Sequence, residues 1–263
     1  MSSNASGNDE NIILEGMTSV SACIKALDEK PASRTIYEVL ADSSKLSGGS
    51  DRFRRRLSYL RAKSAEHGFT LRLCDAAEIN ALTSGNTHGG IAARVSPRAI
   101  ASLDITNIKK NGFYMIFDGI EDPYSFGYSL RSLYAAGADG VILPSGHFIN
   151  NDGVISRSSA GAYELLPVYF ADGGTVNAIR SFRQAGYRIL CSEIRRSVSY
   201  LDAHLCRPLV IVMGGEKRGI SSSVIAECDG NVSIGYGRDF MGSLSTACAV
   251  SVLAFEVLRN SKG

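Results

Sequence analysis

Leu209-Val210-Ile211-Val212-Met213-Gly214-Gly215-Glu216-Lys217-Arg218-Gly219 is the stretch on which the reading of this chain turns. Leu209 to Met213 are apolar without interruption, as in a strand buried on both faces of a parallel sheet. Gly214 and Gly215 let the backbone turn sharply and approach a ligand closely. Glu216 places a carboxylate at that turn, and Ser221-Ser222-Ser223 offer caps for a following helix. Further on come Val232 and Ile234 in a second strand and a loop holding Gly235, Gly237 and Gly242. Ser243-Leu244-Ser245 then opens a long apolar helix ending near Leu258. Two such strand–loop–helix joints, close in sequence, suit a small-ligand pocket.

Working outward, the same construction occurs upstream. Phe113–Phe117 reads as an apolar strand, followed by Asp122-Pro123-Tyr124-Ser125-Phe126-Gly127. A helix over Tyr128–Leu133 ends at Ala136-Gly137 and leads into the strand Gly140–Leu143. Arg131 is expected one turn into that helix, its side chain returning toward the strand's carboxyl edge. In order, Asp122-Pro123-x-Ser125-x-Gly127-x-x-x-Arg131, strand–Gly214-x-Glu216-x-x-Gly219–helix and strand–Gly-rich loop–Ser243-Leu244–helix resemble the three signature motifs of the SpoU (TrmH) branch of the SPOUT RNA methyltransferases. Ser158-Ser159-Ala160-Gly161-Ala162 is similar to a further Ser-x-Gly-Ala segment of that family. The likeness runs from Gly112 to Asn260. It departs from the pattern at Ser125 and Ser245, where the family has Asn, and at Gly235-Tyr236, where Ile-Pro-Met is usual.

The resemblance implies an α/β protein. Residues 112–263 would form a parallel-sheet methyltransferase domain with a deep trefoil knot. Residues 11–98 would form a small α/β substrate-binding domain like ribosomal protein L30e, after a loose tail at 1–10 and before a linker at 99–111. It implies methyl transfer from S-adenosylmethionine to a ribose 2′-hydroxyl of ribosomal or transfer RNA, without a metal, by a homodimer joined through the knotted domain. Met213, Gly214, Ile234, Leu244 and Ser192 match the cofactor pocket. Arg131 would act as base or, remaining a cation, stabilise the developing alkoxide. Glu216 would orient Arg131 or the RNA, and Ser243 would bond the ribose or cofactor region. Ser125 and Ser245 stand in the places of the family amides, shorter and with one hydrogen-bonding group instead of two. The alternative is a paralogue that keeps the fold and pocket but binds RNA without methylating it.

The amino-terminal third alternates in the same way. After Ile12-Ile13-Leu14 an amphipathic run covers Ser19–Leu27, and a strand is expected over Thr35–Leu40, closed by turn-prone Ala-Asp-Ser-Ser and Gly-Gly-Ser. From Asp51 a helix carries Arg52, Arg54, Arg55, Arg56 and Arg61, with Phe53, Leu57 and Leu60 on its apolar side. Charges on an exposed helix face are ordinary. This run has no acid after Asp51 until Glu66, and the planar fork of arginine matches phosphate, so Arg52, Arg54, Arg55 and Arg56 are candidate RNA contacts. A strand over Phe69–Leu73, a helix over Ala76–Leu82 and a strand over Ile91–Val95 complete the domain. The loop Thr83–Gly90 ends in His88-Gly89-Gly90, similar to the family's Gly-x-x-His-Gln-Gly, and the resemblance makes His88 a further RNA-facing candidate.

Composition narrows the alternatives. The chain has 263 residues, 44% of them hydrophobic, enough for one large or two modest domains. A formal charge of +2 argues for local rather than global attraction to nucleic acid. The six cysteines form no Cys-x-x-Cys pair, so neither zinc nor a disulfide framework is expected. The polar opening lacks the basic start and apolar core of a signal peptide, and the longest apolar run, near Cys248–Phe255, is too short to span a bilayer. A soluble, cytoplasmic protein with no membrane partner is the expectation. The strand at Phe113 is followed by Asp-Gly-Ile-Glu-Asp-Pro, not the Gly-x-Gly-x-x-Gly of a dinucleotide fold, and no Gly-x-Ser-x-Gly elbow occurs.

Overall fold

The computed structural model describes residues 11–29, 33–47, 51–85, 87–146 and 151–261. The expected tail at 1–10, the Gly48-Gly49-Ser50 turn and Asn86 lie outside these residues. Backbone contacts divide the chain into two compact units, one ending at Ala99 and the other beginning at Ile100.

The first unit runs β1 (Ile12–Glu15), α1 (Gly16–Glu29), β2 (Ile36–Asp42), α2 (Ser44–Ser47), α3 (Asp51–His67), β3 (Thr70–Cys74), α4 (Ala76–Leu82) and β4 (Ile91–Val95). Its sheet has the order β1-β4-β2-β3, with β2 and β3 parallel and the other pairs antiparallel. Ile12-Ile13-Leu14, expected only as a lead-in to the helix, is an edge strand because it pairs with Val95, Arg94 and Ala93. Such distant pairing leaves no local periodicity to read. Phe53, Leu57 and Leu60 recur on one face of α3 and join Leu14, Ile24, Val39 and Ile91 in the core, which turns the arginines outward. At the far end of α3, Lys63 bonds Asp28 at 3.0 Å and Glu66 at 2.9 Å, and His67 lies 2.8 Å from Asp28. The Lys63 ammonium thereby holds the Asp28 carboxyl below the usual carboxylate range.

The second unit runs β5 (Ala101–Ser102), a 3-10 turn (Ile105–Asn107), β6 (Phe113–Asp118), α5 (Pro123–Ala135), β7 (Gly140–Pro144), α6 (Asp152–Ser158), α7 (Ala162–Leu165), β8 (Val168–Ala171), α8 (Gly174–Gln184), β9 (Arg188–Ser192), β10 (Ser197–Ser199), β11 (Leu209–Gly214), α9 (Ser222–Ala226), β12 (Gly230–Ser233) and α10 (Thr246–Ser261). Eight strands form one sheet, β10-β12-β9-β11-β6-β7-β8-β5, parallel throughout. Both faces are covered. Phe113, Met115, Ile211 and Met213 pack toward Phe126, Leu130, Leu253 and Val257. Tyr114, Ile116, Val210 and Val212 pack toward Ile179, Phe182 and Val224. That double burial is why β6 and β11 are apolar at every position up to their last residue.

Two expectations need correction. The stretch 99–111 is not all linker: Ala101 and Ser102 pair with Tyr169 and Phe170, and the turn Lys109–Gly112 is anchored by two buried tyrosines. Lys109 N donates to Tyr114 Oη at 3.1 Å and Gly112 N to Tyr187 Oη at 3.2 Å. Burial pushes the Tyr114 phenol up to about 12. The helix after β6 starts at Pro123, not beyond Gly127, because Asp122 caps it by accepting from Ser125 N at 2.7 Å and proline suits the first turn. Arg131 therefore lies about two turns into α5, not one. Among the described residues no helix is long and apolar enough to cross a membrane, and all six cysteines are free.

Candidate active site

In the parallel register Val212 lies beside Cys191, Ser192 beside Val232, and Gly214 beside Asp118. The carboxyl ends of β12, β9, β11 and β6 therefore form one continuous edge, the position where open α/β sheets hold ligands. A cavity of about 590 Å³ opens along it, lined by the loops that follow β9, β11 and β12. All five residues expected at a cofactor pocket, Ser192, Met213, Gly214, Ile234 and Leu244, line it, and so do Glu216, Ser243 and Ser245. Arg131 and Ser125 do not.

The glycines of this edge also meet a demand of the protein's own packing. A Cβ on Gly214 would sit 2.4 Å from the Gly219 carbonyl carbon, and one on Gly215 only 2.1 Å from the Gly119 carbonyl oxygen. Both distances are impossible, so the protein's own backbone already excludes side chains at these two positions. The loop 214–219 folds on itself, with Gly219 N donating to Gly215 O at 3.0 Å, and lies against the loop after β6, with Gly215 N donating to Asp118 O at 3.3 Å. The Asp118 carboxylate accepts from Thr175 Oγ1 at 2.7 Å and from Ser221 N at 3.4 Å, tying the start of α8 and α9 to the same point.

Glu216 stands where two cavities meet. Besides the larger one, it lines a cavity of about 340 Å³ with Gly119 to Pro123 and Lys217. Its Oε1 accepts from Ser125 Oγ at 2.8 Å, so the serine in place of the family amide orients the carboxylate. Lys217 bonds Glu121 at 2.9 Å across the same cleft, which holds its ammonium above the ordinary lysine range. Within the chain, Glu216 and Arg131 form no hydrogen bond or ion pair among the described residues. Arg131 is exposed and makes no hydrogen bond or ion pair among the described residues; Tyr124, Tyr128 and Tyr134 are exposed on the same helix. Ser245 accepts from Cys248 N at 3.3 Å and so caps α10, while Ser243 is exposed at the cavity.

Glu193, Ile194 and Tyr236 also line the larger cavity, and the sequence did not single them out as site residues. Glu193 and Ile194 follow Ser192, but only the strand order shows that β9 ends between β11 and β12. Tyr236 Oη accepts from Leu244 N at 3.1 Å and its ring meets Phe240 edge-on at 5.6 Å, which closes the loop after β12 on itself.

In the first unit Arg52, Arg54, Arg55 and Arg61 are exposed and Arg56 half-buried, and among the described residues none pairs with a carboxylate. Arg56 Nη1 comes within 4.0 Å of the point where a side chain on Gly89 would begin, so the basic helix and the His88 loop adjoin. His88 itself is not available to RNA. It is buried, its Nδ1 accepts from Gly90 N at 3.1 Å, and its Nε2 is 2.8 Å from Asn80 Oδ1. Both ring nitrogens are spent on shaping the loop, with the proton on Nε2.

A model of the SpoU rRNA Methylase family matches residues 112–255. A protein of Staphylococcus saprophyticus assigned to the TrmH family of tRNA/rRNA methyltransferases is 32% identical over 181 residues, 67% of this chain and 72% of the relative. A protein of Staphylococcus aureus with the same assignment is 30% identical over 177 residues, 65% of this chain and 71% of the relative. Among solved structures, the AdoMet-bound rRNA methyltransferase of Sinorhizobium meliloti superposes with a TM-score of 0.75 at 22% identity, covering 95% of this chain and 87% of its own. The SpoU methyltransferase AviRb of Streptomyces viridochromogenes, in complex with AdoMet, does so with a TM-score of 0.74 at 20% identity, covering 94% and 89%. At those identities the structures speak for the fold.

Proposed function

The chain belongs to the SpoU rRNA Methylase family of RNA methyltransferases, and from that premise we infer that it transfers a methyl group from S-adenosylmethionine to a ribose 2′-hydroxyl of ribosomal or transfer RNA. The observation that carries this reading is that the three loops bearing the family motifs meet at Glu216, one carboxylate bordering two adjoining cavities. The larger cavity fits the cofactor: its volume lies in the range of small-molecule sites. Met213, Ile220, Ile234 and Leu244 offer apolar surface for a purine, and Ser192, Ser243 and Ser245 offer hydroxyls. Two structural neighbours hold AdoMet by their own descriptions. When bound, the cofactor supplies a methyl group made electrophilic by its sulfonium. The smaller cavity, with Glu216 at its border, is the place we assign to the acceptor ribose.

The chain's own work is alignment and charge stabilisation. Glu216, held by Ser125, orients the acceptor hydroxyl. Arg131, as a cation, stabilises the oxygen as its proton passes to water and the neutral thioether departs. Because Arg131 does not line the cavity of its own chain, the reading calls for a homodimer in which the exposed face of α5, with Tyr124, Tyr128 and Tyr134, is covered by a second copy and Arg131 serves that copy's site. The deep knot is part of the same proposal: β11 inserts between β9 and β6, and β12 between β10 and β9, in each case between strands that come earlier in the chain. Arg52, Arg54, Arg55 and Arg56 hold the RNA by its phosphates. The test is methyl mapping of RNA from the source cell with and without this gene, then complementation. A ribose methyl that disappears on deletion, returns with the parent gene and stays absent with Arg131→Ala supports the enzyme. If no site changes while the protein still co-purifies with RNA, the chain is an RNA-binding relative without this activity.

A further inference from the structure

We propose that Glu193 makes the larger cavity selective for the charge of its ligand, favouring the sulfonium cofactor over the neutral thioether that methyl transfer leaves behind. The inference rests on the cofactor reading above and concerns a residue outside the three motifs. Among the described residues the cavity wall contains two carboxylates, Glu193 and Glu216, and no lysine, arginine or histidine. Both carboxylates are fixed. Glu193 Oε1 accepts from Ile194 N at 2.9 Å and Arg195 N at 3.1 Å, while its own N–H donates to Val232 O at 3.2 Å. Glu216 is held by Ser125. With one Glu193 oxygen bound to its own loop, the other retains its lone pairs for a ligand. Tyr236 adds an aromatic ring to the same wall, and aromatic faces also attract cations.

Such a lining suits a positively charged ligand and gives a neutral one nothing in return for the crowding of like charges. S-adenosylmethionine and S-adenosylhomocysteine differ by one methyl group and one unit of charge, so the ratio of their affinities isolates this term. Glu216 already has a part in orienting the acceptor. Glu193, on the loop after β9, has no such duty, and the structure assigns the discrimination to it. Its consequence is kinetic: a site that holds the spent form less tightly than the charged one exchanges it readily.

The experiment is titration calorimetry of the full chain with S-adenosylmethionine, S-adenosylhomocysteine and sinefungin, which carries an ammonium near the position of the sulfonium. The parent protein is expected to bind both cationic ligands more tightly than the thioether, with a margin that shrinks as salt is added. Glu193→Gln should lose about tenfold in affinity for the two cations, the scale of one charge pair in a partly enclosed site, and stay within about twofold for S-adenosylhomocysteine. Retained thioether binding also certifies that the variant is folded. Equal losses for all three ligands would reduce Glu193 to a brace for its loop, and unchanged ratios would remove it from the ligand's field; either result overturns the proposal while leaving the cofactor site intact. If the parent binds none of the three, the cofactor reading itself falls, and this inference with it.

Discussion

Ser125 reaches Glu216 from the first turn of α5, where the Asp122 cap fixes its backbone. As a letter it is the loss of an amide from the first motif; in place it is the donor that holds Glu216 at 2.8 Å, from a position fixed by the Asp122 cap. Replacing Ser125 with Ala removes one hydrogen bond to a charged acceptor and leaves the carboxylate free to turn. We expect kcat to fall about tenfold, the ~1.4 kcal/mol of such a bond, with cofactor affinity unchanged in calorimetry; equal loss of both would mean the loop, not the carboxylate, had moved. His88 carries the opposite lesson. Its place in a familiar segment suggested contact with RNA, but a motif records that a side chain is required, not which way it faces. Gly214 and Gly215 were legible as glycines that something must approach closely. That the approaching atoms are the chain's own carbonyls depends on the packing of one loop on another at residues 119 and 215, which no local pattern encodes.

At the level of elements, periodicity gave α4 and β4 to the residue, because a capped short helix and a buried strand each announce themselves locally. It gave neither β1 nor β5, whose pairing partners lie far along the chain, nor the insertion of β11 and β12 between earlier strands, which makes the site. Gly127 shows how packing imposes a motif residue without chemistry. A Cβ there would lie 1.9 Å from Ser158 Oγ and 3.0 Å from Ile155 O, so the glycine is what lets α5 and α6 touch. Ser158 is itself buried and bonded to Val154 O at 2.8 Å, with little room to yield. Gly127→Ala should therefore destabilise the second unit by about 1–3 kcal/mol through overpacking, in spite of the better helix propensity of alanine. Denaturant unfolding measures it. A stability equal to or above the parent's would show that the two helices can separate at no cost.

The whole molecule, on the function proposed, divides its labour between a basic face that grips RNA and a sheet edge that performs the transfer. Neutralising Arg52, Arg54, Arg55 and Arg56 together should weaken binding of structured RNA and flatten its dependence on salt, by up to about 0.9 in log–log slope for each duplex phosphate that is no longer neutralised. An unchanged slope would return those side chains to ordinary surface. If Arg131 serves the other copy's cavity, chains carrying only Arg131→Ala and chains carrying only Glu216→Ala should rescue each other when refolded together. Half of the random dimers would then be mixed and each would hold one intact site, giving about a quarter of parent activity; no rescue would mean that each site draws both residues from a single chain. The most direct measurement of the central claim uses labelled methyl groups. RNA from cells lacking the gene is incubated with the purified chain and methyl-labelled S-adenosylmethionine, then hydrolysed in alkali. A 2′-O-methyl group blocks cleavage of its own phosphodiester, so the expected result is label in alkali-resistant dinucleotides, abolished by Glu216→Ala. Label recovered in mononucleotides, as base methylation would give, or no label on RNA that the chain demonstrably binds, would contradict ribose methylation.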